Sequence, residues 1–244
     1  MARVLRIFRD PEGPCPYLPN ERAQLDHRIL LDVSPTAFDR LLYFGWRRFG
    51  PDYFRPACAA CSECVPTRIP TATFEPSRSQ QRVLKKGAGF RASFGPSRAD
   101  EERLALYHLW HENREEARGW GEGTMDLDTY RMQFAFPHPS GRELAFHLED
   151  RLIGVSICDE TPTALSAVYF FFDPAFQAFS LGTLNILTLV ALARDLRKEH
   201  VYLGFRVREC PSLRYKESFY PQEVLEHRPS DLETPAWRTV ERPR

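Results

Sequence analysis

The sequence lacks both a net charge and a long apolar run. Its 33 basic residues are balanced by 33 acidic residues in a chain of 244. The longest apolar stretch, LNILTLVALA at 184–193, is too short and too interrupted to cross a bilayer. The first ten residues carry charges but no apolar core of a secretory signal, and there is no internal repeat or low-complexity linker. We therefore expect a globular cytoplasmic protein without membrane contact.

The overall neutrality conceals a basic block at residues 40–98. Eleven lysines and arginines lie in this block against three acidic residues. Such a block predicts either a surface that binds a polyanion or a solvated basic face, and charge alone does not separate the two.

Helical patterns dominate the first half of the chain. Ser34 as N-cap and Pro35 in the first turn predict a helix that continues to Gly50. Further along, TRIPTATFEP predicts a strand, and ADEERLALYHLWHENREEAR and DLDTYRMQFAF predict a long and a short helix.

The second half predicts three strands, a buried helix that begins near Ser180, and a fourth strand, VYLGFRV. This gives an α+β fold, with a smaller cysteine-containing N-terminal part at 1–137 and a C-terminal half at 138–244. The order of elements in that half is shared by acyltransferases of the acetyltransferase (GNAT) superfamily. The turn before the helix, QAFSLGT, has Gly182 as its one glycine, which disfavours the pyrophosphate of coenzyme A.

Three closely spaced cysteines, Cys58, Cys61 and Cys64, have a spacing that lets thiolates converge on one metal centre. Cytosolic thiols stay reduced, so the spacing indicates metal or chemistry rather than disulfides. A buried thiol cluster without metal is the alternative interpretation. We expect Cys158 and Cys210 to be buried strand or loop residues.

Several segments, taken in order, resemble the aminoacyl-tRNA protein transferases: CPYLP, YFRPACAACSECVPTRIP, SRSQQRVLKK, LSAVYFFFDP, SLGTLNIL and VYLGFRVRECPSLRYKESFYPQE. They cover most of residues 13–226. The resemblance implies transfer of an amino acid from charged tRNA to protein N-termini, as a mark for degradation by the N-degron route. Bacterial members of this length transfer leucine to N-terminal Asp or Glu, and eukaryotic members transfer arginine. Leucine is therefore favoured here, with arginine possible.

The resemblance also implies a fourth cysteine ligand, Cys15, and an iron-sulfur cluster, with tetrahedral zinc as the alternative. No nucleotide cofactor is implied, and the oligomeric state is not predicted. One segment, LYHLWHENREEARGWGEGTM, departs from the bacterial pattern, and only Gly123 and Met125 fit it. This departure bears most on the choice of substrate.

The implied reaction is aminolysis of an ester by an α-amine with a pKa of about 8. Because such an amine needs little activation, we expect positioning and oxyanion stabilisation to supply most of the rate. The turn at Ser180 and Gly182 is placed by the resemblance beside the tRNA 3′ end, although it can equally be a plain helix cap. Asp173 is the candidate carboxylate for the amine, or an ordinary Asp-Pro turn residue. Tyr169 is a candidate hydrogen-bonding group, or a core aromatic.

An acidic acceptor residue is bound best by a guanidinium, and Arg68 and Arg82 lie in the matching segments. Lys85, Lys86 and Lys216 could contact tRNA phosphates or the substrate, although surface lysines are usually only solvated. His108 and His111 are interpreted as solvated or core residues. Two competing functions are a coenzyme A-dependent acyltransferase and a non-catalytic RNA-binding protein.

Overall fold

The computed structural model describes residues 2–118 and 125–242. Its strands are β1 Arg3–Arg9, β2 Gly13–Pro14, β3 Arg22–Ala23, β4 Leu25–Leu31, β5 Arg47–Phe49, β6 Asp52–Pro56, β7 Val65–Pro70, β8 Arg91–Gly95, β9 Gly141–Leu148, β10 Arg151–Glu160, β11 Ala164–Phe172, β12 His200–Arg206, β13 Gln222–Leu225 and β14 Trp237–Val240. Its helices are α1 Pro35–Tyr43, α2 Arg78–Lys86, α3 Glu101–Arg118, α4 Leu127–Phe134, α5 Leu181–Asp195 and α6 Pro211–Arg214, with 3₁₀ turns at Pro174–Phe179 and Tyr215–Ser218.

A mixed sheet of eight strands forms the centre, in the order β14-β13-β7-β12-β11-β10-β9-β8. The predicted succession of three strands, helix and strand is confirmed by β9, β10, β11, α5 and β12. β11 and β12 run parallel, and α5 is the crossover between them. The large mixed sheet with its helices confirms a mixed α/β architecture.

The parallel strands β11 and β12 pair over only three residues each. The pairs are Ala164 with His200, Leu165 with Val201 and Ser166 with Tyr202. Beyond these pairs β12 continues alongside β7, while β11 continues alongside β10 as far as Phe172. We call this separation of β11 beyond Ser166 from β12 beyond Tyr202 the splay.

Three apolar cores hold the elements together. In the first, α5 buries eight residues, most of them leucine, isoleucine or valine, against the large sheet. The second joins α1 and the small sheet β1-β4-β6-β5, and the third packs α3 and α4 on β10 and β11. The large sheet is therefore covered by α5 in one core and by α3 and α4 in another. Each fully buried aliphatic side chain contributes about 1.5–3 kcal/mol to the stability of the fold.

The first predicted helix is wrong beyond Tyr43. Ser34 caps α1 as predicted, but Gly45 adopts a left-handed φ of 80° that ends the helical segment. Arg47–Phe49 then form β5 and pair with β6. Pairing with a neighbouring strand thus overrides the helical spacing of the apolar residues.

Strands from both halves of the chain build the large sheet. β7, from the N-terminal part, lies between β13 and β12, and β8 pairs with β9. The division at 137 and 138 stays a prediction. None of the described helices is long and apolar enough to cross a membrane.

Candidate functional site

The end of β11 places Asp173 next to the start of α5. The carboxylate is buried, accepts a hydrogen bond from the amide of Ala175 at 2.9 Å, and forms an ion pair with the guanidinium of Arg151. Asp173 therefore caps the 3₁₀ turn that leads to α5. The structure shows this capping contact, and the catalytic role stays a prediction.

The predicted turn opens α5 toward solvent. Ser180 is exposed in the left-handed region, with φ of 55°, and its side chain makes no capping hydrogen bond. A Cβ added at Gly182 would meet no heavy atom within 4 Å. The first amides of an α-helix have no partner within the helix, and they attract negative charge. The start of α5 is therefore an open, donor-rich surface.

Tyr169 lies on β11 and contacts a histidine that we did not select from the sequence. The Nε2 atom of His111, on α3, lies 2.9 Å from the Tyr169 hydroxyl oxygen. The His111 ring stacks on Tyr107 with a centroid distance of 4.1 Å, and Tyr169 stacks on Phe134 at 5.3 Å. The interpretation of His111 as a core residue thus holds in part. No local pattern could pair it with a tyrosine 58 positions away.

The basic side chains of α2 lie beside the start of α5. Arg82, Lys85 and Lys86 are all exposed. The ammonium of Lys86 lies 3.5 Å from the carbonyl oxygen of Ala178, in the turn before α5. α2 also packs on α5, since a Cβ at Gly87 would lie 2.5 Å from Leu184 Cδ2. The structure thus brings Lys86 to the turn before α5, and Arg82 and Lys85 lie exposed on the same helix.

Arg68 lies elsewhere, on β7, and its guanidinium already has a carboxylate partner. Its Nε atom donates to Glu223 at 2.6 Å, its Nη1 atom donates to the Tyr202 hydroxyl at 2.9 Å, and it lies over the Trp237 ring. Hydrogen bonds from His200 and Arg68 lower the pKa of Glu223 to about 2. Arg68 thus joins β7 to β13, and its role with an acceptor stays a prediction.

Lys216 lies at the splay together with Arg47. Its ammonium donates to the carbonyl of Phe205 at 2.9 Å, while Arg47 donates to the carbonyl of Ala167. Burial lowers the pKa of Lys216 to about 7, with a further contribution from the positive charge of Arg47. Two cations therefore face each other between the separated strands.

The closely spaced cysteines line one cavity. Cys58, Cys61 and Cys64 lie on a cavity of about 620 Å³ that also contains arginines. Burial and the neighbouring cysteines, Cys15 included, raise the pKa of Cys64 to about 12. All of these thiols are free.

The four thiols do not form a metal site as they stand. In the described ranges, no three cysteine, histidine or acidic side chains converge closely enough to hold an ion. The metal assignment therefore stays a prediction. Cys158 and Cys210 are buried as expected. Gly123 lies outside the described residues, and Met125 packs on the third core.

Comparison with known proteins places the chain in a family. Residues 13–82 match the N-terminal region, and residues 102–226 the C-terminal region, of the family described as arginine-tRNA-protein transferase. An aspartate/glutamate leucyltransferase from Chromohalobacter salexigens is 35% identical over 237 residues, covering 93% of each chain. A protein of the same name from Campylobacter jejuni is 33% identical over 215 residues, covering 88% of this chain and 90% of that protein.

Solved structures show only a distant likeness. The match to FemX has a TM-score of 0.44 and 9% identity, and covers 75% of this chain and 63% of that one. The match to L-PGS from Bacillus licheniformis has a TM-score of 0.42 and 10% identity, and covers 70% and 50%. These values are too low to bear on function. The two family regions and the full-length relatives agree, however, and the chain belongs to the arginine-tRNA-protein transferase family.

Proposed function

We propose that this protein transfers leucine from charged tRNA to the α-amine of proteins that begin with Asp or Glu. The observation that carries the proposal is the 33–35% identity to aspartate/glutamate leucyltransferases over about nine-tenths of the chain. The family's description names arginine as the donor residue, and the named relatives favour leucine. Marking of acidic N-termini for degradation in the cytoplasm is the corresponding role.

The proposed reaction needs positioning more than strong chemistry. The α-amine attacks the ester carbonyl of the aminoacyl-tRNA, the new amide bond forms, and the ester bond to the tRNA ribose breaks. The amine gives up a proton, and the ribose hydroxyl takes one as it leaves. An amine with a pKa of about 8 is already partly neutral at pH 7.5. It can attack the ester directly, so no covalent enzyme intermediate is required.

The open start of α5 is the proposed position of the reacting carbonyl. Leu181 and Gly182 are the first two residues of α5, so their amides lie at the positive end of the helix dipole. This end favours the negative charge that develops on the carbonyl oxygen. Asp173 fixes the turn that aims them through its bond to Ala175. Ser180 and Gly182 would thus act through geometry and open space.

Tyr169 and His111 are proposed to lie on the acceptor side of the reaction. Their hydrogen bond of 2.9 Å couples a phenol on β11 to an imidazole on α3. Such a pair can accept and pass on a proton from an attacking amine. His111 enters the proposal because of its contact with Tyr169.

The basic helix α2 is the proposed contact for the tRNA backbone. Arg82, Lys85 and Lys86 are solvent-exposed, and Lys86 lies beside the turn before α5. Phosphates bound there would bring the 3′ end of the tRNA toward the start of α5. Such contacts fix orientation without reading sequence.

The C-terminal half is proposed to be related to the acetyltransferase fold, since its strands and crossover helix follow that order. The single glycine at the start of α5 supports aminoacyl-tRNA rather than coenzyme A as the donor. A cluster or zinc ion at Cys15, Cys58, Cys61 and Cys64 stays a proposal. It is supported by the common cavity that Cys58, Cys61 and Cys64 line, and metal analysis of the purified protein tests it. No step of the transfer is assigned to a metal.

A transfer assay tests the proposed function. Labelled leucine or arginine, each carried on tRNA, is offered with peptides that begin with Asp, Glu or Ala. We expect leucine on the Asp and Glu peptides, none on the Ala peptide, and loss of transfer after RNase treatment. Binding and turnover of an acyl-coenzyme A, or salt-sensitive RNA binding without any transfer, would contradict the proposal.

A further inference from the structure

In the described part of the chain, every buried arginine except Arg47 has a carboxylate partner. Arg48, Arg68, Arg103 and Arg206 are each buried and each has an acidic partner: Asp159, Glu223, Glu143 and Glu217. Arg47 is equally buried, with 7% of its surface exposed, and forms no salt bridge with an acidic side chain in the described chain. Among the described residues its Nη1 atom also has no hydrogen-bond partner.

Lys216 adds a second positive charge, and it forms no salt bridge with an acidic side chain among the described residues. Its ammonium donates to the Phe205 carbonyl. The ionisable side chains that affect the pKa of Lys216 are Arg47, Cys210 and Cys64, and none of them is a carboxylate. Burial lowers the pKa of Arg47 to about 10, and the negative charge of Asp159 offsets this only in part. Asp159 forms its salt bridge with Arg48 through Oδ1, and among the described residues its Oδ2 atom has no hydrogen-bond partner. Buried Arg47 and half-buried Lys216 thus form no salt bridge with an acidic side chain among the described residues, which is costly, and a bound anion would relieve that cost.

Gly204 leaves space between the two cations. It has a left-handed φ of 81°, and a Cβ built there would lie 3.6 Å from Arg47 Nε, Arg47 Nη2 and Lys216 Nζ. The cations thus converge on a point where the backbone carries no side chain. A guanidinium edge and an ammonium directed to one point suit a carboxylate.

The position of this pocket fits the acceptor rather than the tRNA. The Ala167 carbonyl that holds Arg47 lies on β11, two residues before Tyr169. Two residues of a strand span about 7 Å. The proposed carboxylate site and Tyr169 therefore lie along the same stretch of β11.

We propose that Arg47 and Lys216 form the specificity pocket that binds the side-chain carboxylate of the acceptor's N-terminal Asp or Glu. The inference rests on the proposed transfer function and names the residues that select its acceptor. Arg47 supplies its guanidinium, whose Nε atom lies near Gly204 and whose Nη1 atom is unpartnered among the described residues, and Lys216 supplies the ammonium. Gly204 leaves the point between them without a side chain.

Steady-state transfer by the full-length protein tests the proposal. Wild type, Lys216→Gln and Arg47→Gln are compared on peptides that begin with Asp or with its neutral isostere Asn, with leucine carried on tRNA. We expect Lys216→Gln to raise the KM for the Asp peptide about tenfold and to reduce the preference for Asp over Asn to match, with the KM for charged tRNA unchanged. Arg47→Gln should act in the same direction, provided that its thermal unfolding matches wild type.

Lys198→Gln is the matched control. Lys198 is a half-buried lysine that donates to the Thr161 carbonyl at 2.7 Å and has its own carboxylate, Glu160, at 3.1 Å. It should keep the preference for Asp. An unchanged preference in Lys216→Gln, or an equal loss for the Asn peptide, would overturn the pocket. Absence of transfer by wild type would instead reject the proposed function.

Discussion

At the scale of single residues, His27 shows how the fold fixes a protonation state. Its Nδ1 atom lies 2.9 Å from Asp52, its Nε2 atom lies 2.9 Å from Asp10, and its ring stacks on Phe8. Both partners are carboxylates, so each ring nitrogen donates and the ring carries a proton on both. Burial alone would lower the pKa of His27, but the hydrogen bonds that the ring donates to Asp52 and Asp10, with the charges of the two carboxylates, outweigh it and raise the pKa.

This arrangement predicts a pH-dependent contribution to stability. A raised pKa in the folded state stabilises the protein fully below the unfolded pKa of about 6.5, and this stabilisation is lost as pH rises through the folded pKa. We expect His27→Gln to reduce the free energy of unfolding at pH 5.5 more than at pH 8.5, as measured by urea denaturation. The exposed His227→Gln serves as control. Equal losses at both pH values would contradict the assignment.

Individual site residues were only partly predictable. Asp173, Ser180 and Gly182 could be placed from local signals, because a turn and a helix start are coded by neighbouring residues. His111 and Arg47 could not, since each acquires its surroundings from strands more than fifty positions away. The local sequence around a residue does not predict a contact that the residue makes with a distant element.

At the scale of elements, α2 is the helix that the sequence analysis left unassigned. Its start is nevertheless coded by Ser77 and Gln80, which form a capping box in which each side chain binds the other's backbone amide. The run of cations obscured this signal because exposed basic residues interrupt the apolar spacing. The opposite error occurred at α1, where the apolar spacing continued past Gly45 and the helix did not.

The exposed side chains of α2 predict salt-sensitive tRNA binding. Replacing Arg82, Lys85 and Lys86 by Gln should weaken binding of charged tRNA at low salt, and should flatten the dependence of log affinity on log salt by about one unit for each phosphate contact removed. The same three changes at Arg3, Arg6 and Arg9 on β1, which are also exposed, are the control. A similar loss in both variants would show that only total charge matters.

At the scale of the whole molecule, the large sheet joins distant parts of the chain. β7 is inserted between β13 and β12, and it pairs with β12 along six residues. The sequence predicted the strands of the second half and their order, because each carries its own β-prone pattern. It did not predict the partner of β7, since strand order depends on long-range packing that no local pattern records.

This topology predicts that the two halves fold only together. Fragment 138–244 lacks β7 and β8 and would expose the edges of β12, β13 and β9, so we expect no cooperative urea transition for either 1–137 or 138–244 alone. Co-expression of the two fragments should restore one transition by circular dichroism. A cooperative transition of 138–244 by itself would instead support an independent C-terminal domain.

The most direct test of the account is the mass of a peptide after reaction. A peptide that begins with Asp is incubated with the purified protein and leucine carried on tRNA, beside the same peptide with an acetylated α-amine. The account predicts a mass increase of one leucine residue on the free peptide, located at its N-terminus by fragmentation, and no change in the acetylated peptide. An unmodified free peptide, or leucine on the acetylated one, would contradict transfer to the α-amine.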